Sequence, residues 1–231
     1  FVEVLAAAQR WYETSEGAFH PAAGALRQRW LVARDSGAEP SPEELSELAA
    51  TTRELPFRVS RGAVERVADC GSVDLNAIAK GYIVDRAAAV AGAVRRVTSV
   101  MVNAGGDLRH RGPGGVTVGV EDPARPYDNA PPRWRVRVCD GGLATSGSAR
   151  RGFRVGGRWL GHVLDPRTGW PVEHTTSVTV LAQDAMTADA LATVLGVLEP
   201  EEAIAFAASR GIGCMVVDAA GDVLTSPDWP D

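Results

Sequence analysis

Apolar positions divide the chain into an early part of helical spacing and a later part that mixes strands with helices. Val2 to Glu13 and Ala25 to Arg34 repeat apolar residues at helical spacing, which predicts a helix over each. The stretch from Ala33 to Pro42 reads as a loop. Ser41-Pro42-Glu43-Glu44 then predicts a helix start, with a capping hydroxyl, proline at the first position and acids in the first turn. Short strands are predicted around Phe57–Ser60 and Ala63–Val67, followed by a helix from about Leu75 to Ala91 that ends near Gly92. The strand Ser99–Asn103 runs into Ala104-Gly105-Gly106-Asp107. Strands follow at Val116–Val120 and Arg133–Cys139, separated by a Pro-rich loop from Glu121 to Pro132. In the second of these, Trp134, Val136 and Val138 alternate with Arg133, Arg135 and Arg137, the period of a half-buried strand.

Gly156-Gly157, between Phe153–Val155 and Arg158–Leu164, predicts a hairpin. Thr176–Ala182 reads as a strand, and Ala185–Leu198 and Pro200–Arg210 as helices. Ile212–Asp218 and Asp222–Leu224 close the chain as a hairpin around Ala219-Ala220-Gly221. Strands outnumber helices and hairpins recur, so the expected class is α+β, with mixed or antiparallel sheets and flanking helices, over a doubly wound parallel sheet.

Composition narrows the partners. The 231 residues are 45% apolar and 23% charged, which excludes a disordered chain. A net charge of −5 argues against a nucleic-acid partner. No apolar run approaches the roughly 18 residues of a membrane span. The chain starts at Phe1, inside a helical pattern, and reads as a processed or trimmed product; a targeting signal would lie outside it, so the compartment stays open. Cys70, Cys139 and Cys214 form neither a CxxC pair nor a zinc spacing and read as buried free thiols.

Several local patterns bear chemistry. Asp189 and Thr193 lie four apart on a predicted helix, so their oxygens project from one face above a stripe of small residues. Oxygen donors of this kind suit a hard cation such as Mg²⁺, although spacing alone favours an exposed Asp and a hydroxyl bonded into its own helix. Of the 24 basic side chains only Lys80 is a lysine. A compact ammonium can enter a phosphate site that a planar guanidinium does not fit, and drift toward Arg explains the same observation equally well. Gly105 and Gly106 after a strand can form an anion nest or simply a turn. Ala144-Thr145-Ser146-Gly147-Ser148 reads as a hydroxyl-rich turn. In Gly161-His162-Val163-Leu164-Asp165-Pro166-Arg167-Thr168-Gly169 a strand delivers a histidine suited to general base work, then an acid and a turn. A hairpin with a local Asp–Arg pair is the plain alternative. His110 and His174 read as surface residues. GxSxG is absent, and the set as a whole is phosphate-directed.

The blocks EGAFHPAAGAL, DLNAIAKGYIVDRAA, VNAGGDLRHRG, ATSGSARRGF, GHVLDPRTGWPV and TSVTVLAQDAMTADALATVLGVL occur in this order. Together they resemble the FAD:protein FMN transferases, the ApbE family, from about Val2 to Asp218. The resemblance implies one catalytic domain over residues 1–231, in one or two lobes, with an ApbE-like fold and a flavin-nucleotide cleft. It implies a Mg²⁺-dependent enzyme that takes FMN from FAD, joins it to a threonine or serine hydroxyl of an acceptor protein and releases AMP. A Mg²⁺-dependent FAD pyrophosphatase and a non-catalytic FAD-binding paralogue are the alternatives. By position, Asp189 and Thr193 match the metal side chains, and Ala77 a metal contact through its main-chain oxygen. Ala18, Phe19, His20, Asp74, Lys80 and Val163 match cofactor-contacting positions, and the turn at Gly105 and Gly106 is expected to hold flavin or ribityl groups. His162 matches a histidine of the transfer step and is the first candidate base; Asp165 is the second. The family usually has aspartate where this chain has His20, a small residue at Asn76, and in some members an acid at Ala192. Typical members also carry a preceding segment of several dozen residues, outside this sequence, that contributes strand structure and part of the flavin pocket.

Overall fold

A computed structural model describes residues 1–68, 73–127 and 129–230. Three helices come first: α1 (Val2–Thr14), α2 (Gly24–Ser36) and α3 (Pro42–Ala50). The Ser41 hydroxyl accepts from the Glu44 amide at 3.1 Å, as its capping sequence predicts. The predicted loop at Ala33–Pro42 is shorter than expected, because α2 continues through Ser36 and ends only at Gly37, whose φ of 74° closes the helix.

Among the described residues every strand pairing is antiparallel. The main sheet has six strands in the order β12-β11-β10-β7-β4-β3, formed by β3 (Val100–Ala104), β4 (Asp107–Arg111), β7 (Gly142–Gly147), β10 (Thr175–Ala182), β11 (Gly213–Asp218) and β12 (Val223–Thr225). Three two-stranded ribbons surround it: β1 (Phe57–Ser60) with β2 (Ala63–Arg66), β5 (Val116–Val120) with β6 (Trp134–Val138), and β8 (Gly152–Val155) with β9 (Arg158–Gly161). The alternation in β6 holds: Val136 and Val138 are buried while Arg135 and Arg137 are exposed. The turn predicted at Ala144–Ser148 is instead mostly strand. β7 is an interior strand, and Thr145 is bonded to Thr179 of β10 through their hydroxyls at 3.0 Å. Pairing of Ala144–Gly147 with β10 overrides the turn preference of Ser and Gly.

Helices α4 (Ala79–Gly92), α5 (Ala185–Val197) and α6 (Pro200–Ala208) complete the fold. α5 is buried on nearly every side, the pattern of a central helix. Leu191, Leu195 and Ala188 of α5 pack with Val178 and Val180 of β10, Val216 of β11 and Ala203 and Ala207 of α6. Its other side, through Ala190 and Val194, meets Val4, Ala7 and Ala8 of α1 with Phe19 and Ile78. The first turn of α5 is capped twice. Asp184 accepts from the Thr187 amide at 2.7 Å, and Asp85 of α4 accepts from the Ala185 and Met186 amides at 2.9 and 2.8 Å. Asp85 thereby ties α4 to the start of α5.

α4 begins four residues later than the predicted Leu75. Asp74 accepts from the Asn76 amide at 2.9 Å, and Ile78, fully buried, has an extended φ of −151°. The side chain of Asp74 thus turns Leu75–Ile78 into a separate turn ahead of the helix. The histidines and cysteines also need correction. His110 is buried, with Nε2 3.0 Å from the Ser99 hydroxyl and Nδ1 accepting from the Asp140 amide at 3.1 Å. His174 is half-buried, 2.9 Å from the Leu198 carbonyl. Cys214 is a buried free thiol, and burial pushes its pKa up to about 12. Cys139 is exposed, and Cys70 lies outside the described residues. Among the described residues no helix is long and apolar enough to cross a membrane.

Candidate active site

One large cavity, of about 870 Å³, is lined by helices, the main sheet and the ribbons β5–β6 and β8–β9. That is near the upper end of the roughly 300–1,000 Å³ of small-molecule sites, room enough for a dinucleotide. Its walls come from the α1–α2 connection, the turn before α4, the β3–β4 turn, β7, the segment after β9 and one face of α5. Ala18, Phe19 and His20 line it, as do Asp74, Ala77 and Lys80. So do Gly105, Gly106, His162, Val163, Asp189 and Thr193. Asp165 does not. Its carboxylate accepts from Arg167 Nε and Nη2, both at 2.9 Å, and from the Arg167 amide, so it stabilises the turn that follows.

The polar centre of the cavity is Lys80. It leaves the first turn of α4, and its Nζ lies 2.9 Å from Asp189 Oδ1 and 2.5 Å from Asp107 Oδ2. The other oxygen of Asp189 accepts from the Gly81 amide at 3.1 Å. Asp189 and Asp107 are only 5% and 2% exposed. Burial would lower the Lys80 pKa, but attraction to both carboxylates and the hydrogen bonds with them outweigh it, and Lys80 stays charged. Asp189 is pushed up, first by burial and then by the neighbouring charge of Asp107, against the opposing pull of Lys80. Two acids that share one ammonium leave this wall of the cavity short of positive charge.

Asp107 was not singled out from the sequence, although it stands at the end of the Gly105-Gly106 motif. The geometry explains why it matters. Gly105 and Gly106 have φ of 67° and 106°, so they form a tight two-residue turn that non-glycine residues adopt poorly, and β4 begins at once with Asp107 facing inward. Arg27 and Arg151 also line the cavity and were not anticipated, because arginine is so common in this chain.

The two cavity histidines differ. His162 follows β9, its backbone N–H donating to the Arg151 carbonyl at 3.2 Å, and its Nδ1 is buried without a partner among the described residues. Burial, then the charges of Arg151, Lys80 and Arg27, hold its pKa below the ordinary range, so it stays neutral and able to accept a proton. His20 Nδ1 accepts from the Ala22 amide at 3.0 Å, and its ring meets Tyr12 edge-on at 5.1 Å. Burial lowers its pKa to about 4.

Residues 1–217 match the sequence profile of the ApbE family. The chain belongs to the ApbE family. Its fold is similar to the ApbE protein of Thermotoga maritima, with a TM-score of 0.84 at 31% identity over 98% of this chain and 75% of that one. It is also similar to the apo form of the flavinyl transferase ApbE of Pseudomonas stutzeri, with a TM-score of 0.77 at 28% identity, covering 98% and 72%. The FAD:protein FMN transferase of Haemophilus influenzae is 30% identical over 228 residues, 94% of this chain. That of Treponema pallidum is 36% identical over 214 residues, 84% of this chain. This ApbE-family chain spans 65% and 58% of those two proteins' own lengths, less than two thirds of either.

Proposed function

We propose that this ApbE-family chain, acting as one catalytic domain, is a Mg²⁺-dependent transferase that moves FMN from FAD onto a threonine or serine hydroxyl of an acceptor protein and releases AMP. The observation that carries the reading is a single dinucleotide-sized cavity that holds the Lys80–Asp107–Asp189 cluster together with His162, whose neutral ring is suited to take a proton. The curated relatives named FAD:protein FMN transferase support it.

The donor set suits Mg²⁺. Asp189, the Thr193 hydroxyl and the Ala77 main-chain oxygen are hard oxygen donors in one cavity, beside the buried Asp107, which shares the Lys80 ammonium with Asp189. Bound there, Mg²⁺ would neutralise charge on the phosphoryl oxygens and on the departing AMP. The residues of the chain account for the remainder. The acceptor hydroxyl has a high pKa and needs a base, and His162 takes its proton. The hydroxyl oxygen bonds to the FMN phosphorus, and the pyrophosphate bond from that phosphorus to the AMP oxygen breaks. Lys80 provides a fixed positive charge at the diphosphate. The Gly105-Gly106 turn and His20, Phe19 and Val163 hold the flavin nucleotide, and Asp74 fixes the turn that carries Ala77.

The test is incubation of the purified chain with FAD, Mg²⁺ and a threonine-containing acceptor peptide, read by mass spectrometry. Transfer gives a peptide heavier by one FMN residue, together with AMP. Free FMN with unmodified peptide would mean hydrolysis, and bound FAD without turnover a binding protein; either result replaces the proposal. Asp189→Ala is expected to abolish transfer, and full activity in that variant would remove the metal assignment.

A further inference from the structure

Asp107 has a cost that its backbone position does not explain. It is 2% exposed, and its carboxylate faces the cavity from the first residue of β4. A buried carboxylate is unfavourable unless it is paired, and Lys80 is the partner, at 2.5 Å. Asp189 does not need Lys80 in the same way, because the Gly81 amide already donates to it. Lys80 therefore has two anchors on two different elements: Asp189 on the central helix α5, and Asp107 on the sheet.

That duplication has a physical use. An ammonium 2.9 Å from a carboxylate competes with any cation for that carboxylate. A lysine with only one anchor would either block the cation or lose its partner inside the cavity wall when the cation arrives. A second anchor removes this conflict.

We propose that Asp107 is a positioning residue for Lys80: it retains the ammonium at the cavity wall while Asp189 is given over to a divalent cation. The inference rests on the reading of Asp189 as a cation ligand. Asp107 acts through Lys80 and does not itself touch the cation. The effect of losing Asp107 must therefore depend on whether Lys80 is present.

A double-mutant cycle on metal binding tests this. Mn²⁺ is titrated into the intact chain, with and without FAD, and free Mn²⁺ is counted by electron paramagnetic resonance. Asp107→Asn is expected to weaken Mn²⁺ binding by about tenfold or more, because Lys80 then pairs with Asp189 alone. In the Lys80→Met background the same substitution is expected to cost less than about threefold, because no ammonium is left to compete. An equal penalty in both backgrounds would mean that Asp107 acts on the cation directly, and would overturn this inference alone. Absence of Mn²⁺ binding by the unsubstituted chain in both conditions would overturn the cation reading and this inference together. Circular dichroism checks that each variant is folded. Should Asp107→Asn fail to fold, Lys80→Met alone decides: tighter Mn²⁺ binding is expected, and unchanged or weaker binding overturns the proposal.

Discussion

Gly81 donates its amide to Asp189 Oδ2 at 3.1 Å, across the place where α4 crosses the start of α5. Hydrogen atoms alone at the Gly81 Cα permit this approach. A Cβ there would overlap the Ala185 carbonyl and lie 2.7 Å from the Met186 Cα, both backbone groups that cannot rotate away. Gly81→Ala is therefore expected to separate the two helices. Overpacking of this kind costs about 1–3 kcal/mol and sometimes more, and the upper end is expected here. Urea unfolding followed by circular dichroism gives the loss. Unchanged stability would mean that the helices do not cross this closely.

Lys80→Arg keeps the charge and changes the shape. The Lys80 Nζ lies between Asp107 and Asp189, at 2.5 and 2.9 Å, a point that one compact ammonium can occupy. A planar guanidinium is wider and spreads its donors into a fork. Transfer is expected to fall at least tenfold, on the order of one lost charged hydrogen bond, while the fold is retained. A neutral result would assign the lone lysine to drift.

His162 makes the pH dependence of transfer specific. Burial and the Arg151 charge hold its pKa below the ordinary value of 6.5, so the neutral, proton-accepting form persists below that pH. The acidic limb of the kcat/KM profile should then fall below pH 6.5. Arg151→Gln should move that limb upward. His162→Asn should cost about 10²–10⁴-fold and remove the limb. A profile that is the same in all three proteins would exclude His162 as the base.

His20 links the cavity to stability. Its pKa is about 4 in the folded chain against an ordinary 6.5, so between those values the unfolded chain binds a proton that the folded chain refuses. The histidine thus costs no stability above pH 6.5, and stability falls as the pH drops toward 4, by about 3 kcal/mol at most. Comparing urea midpoints at pH 7 and pH 5 for the unsubstituted chain and His20→Asn isolates this contribution. The variant should lose less stability on acidification. Equal losses would show that the ring is already solvated.

Where the local pattern was strong, the sequence was legible. The Ser41 cap, the alternation in Trp134–Val138, the hairpin at Gly156-Gly157 and the helix at Ala185 follow from periodicity and turn chemistry, which act over a few residues. Thr145–Gly147 was misread because its strand character comes from pairing with β10, a partner some thirty residues away in the chain. His110 was misread for the same reason, since Ser99 and Asp140 meet it only once the sheet forms.

The sequence by itself determined most of the element types, the helical spacing of Asp189 and Thr193, the singular Lys80 and, through its ordered blocks, the resemblance to a family. Only the tertiary structure decided that Asp107 would join Lys80 and Asp189, that Asp165 would turn away toward Arg167, and that His162 would lie half-buried with its Nδ1 enclosed and its pKa held down. The reason is physical. Propensity and spacing are properties of neighbours along the chain, whereas burial and charge pairing depend on groups brought together from α4, β4 and α5, which no local rule connects.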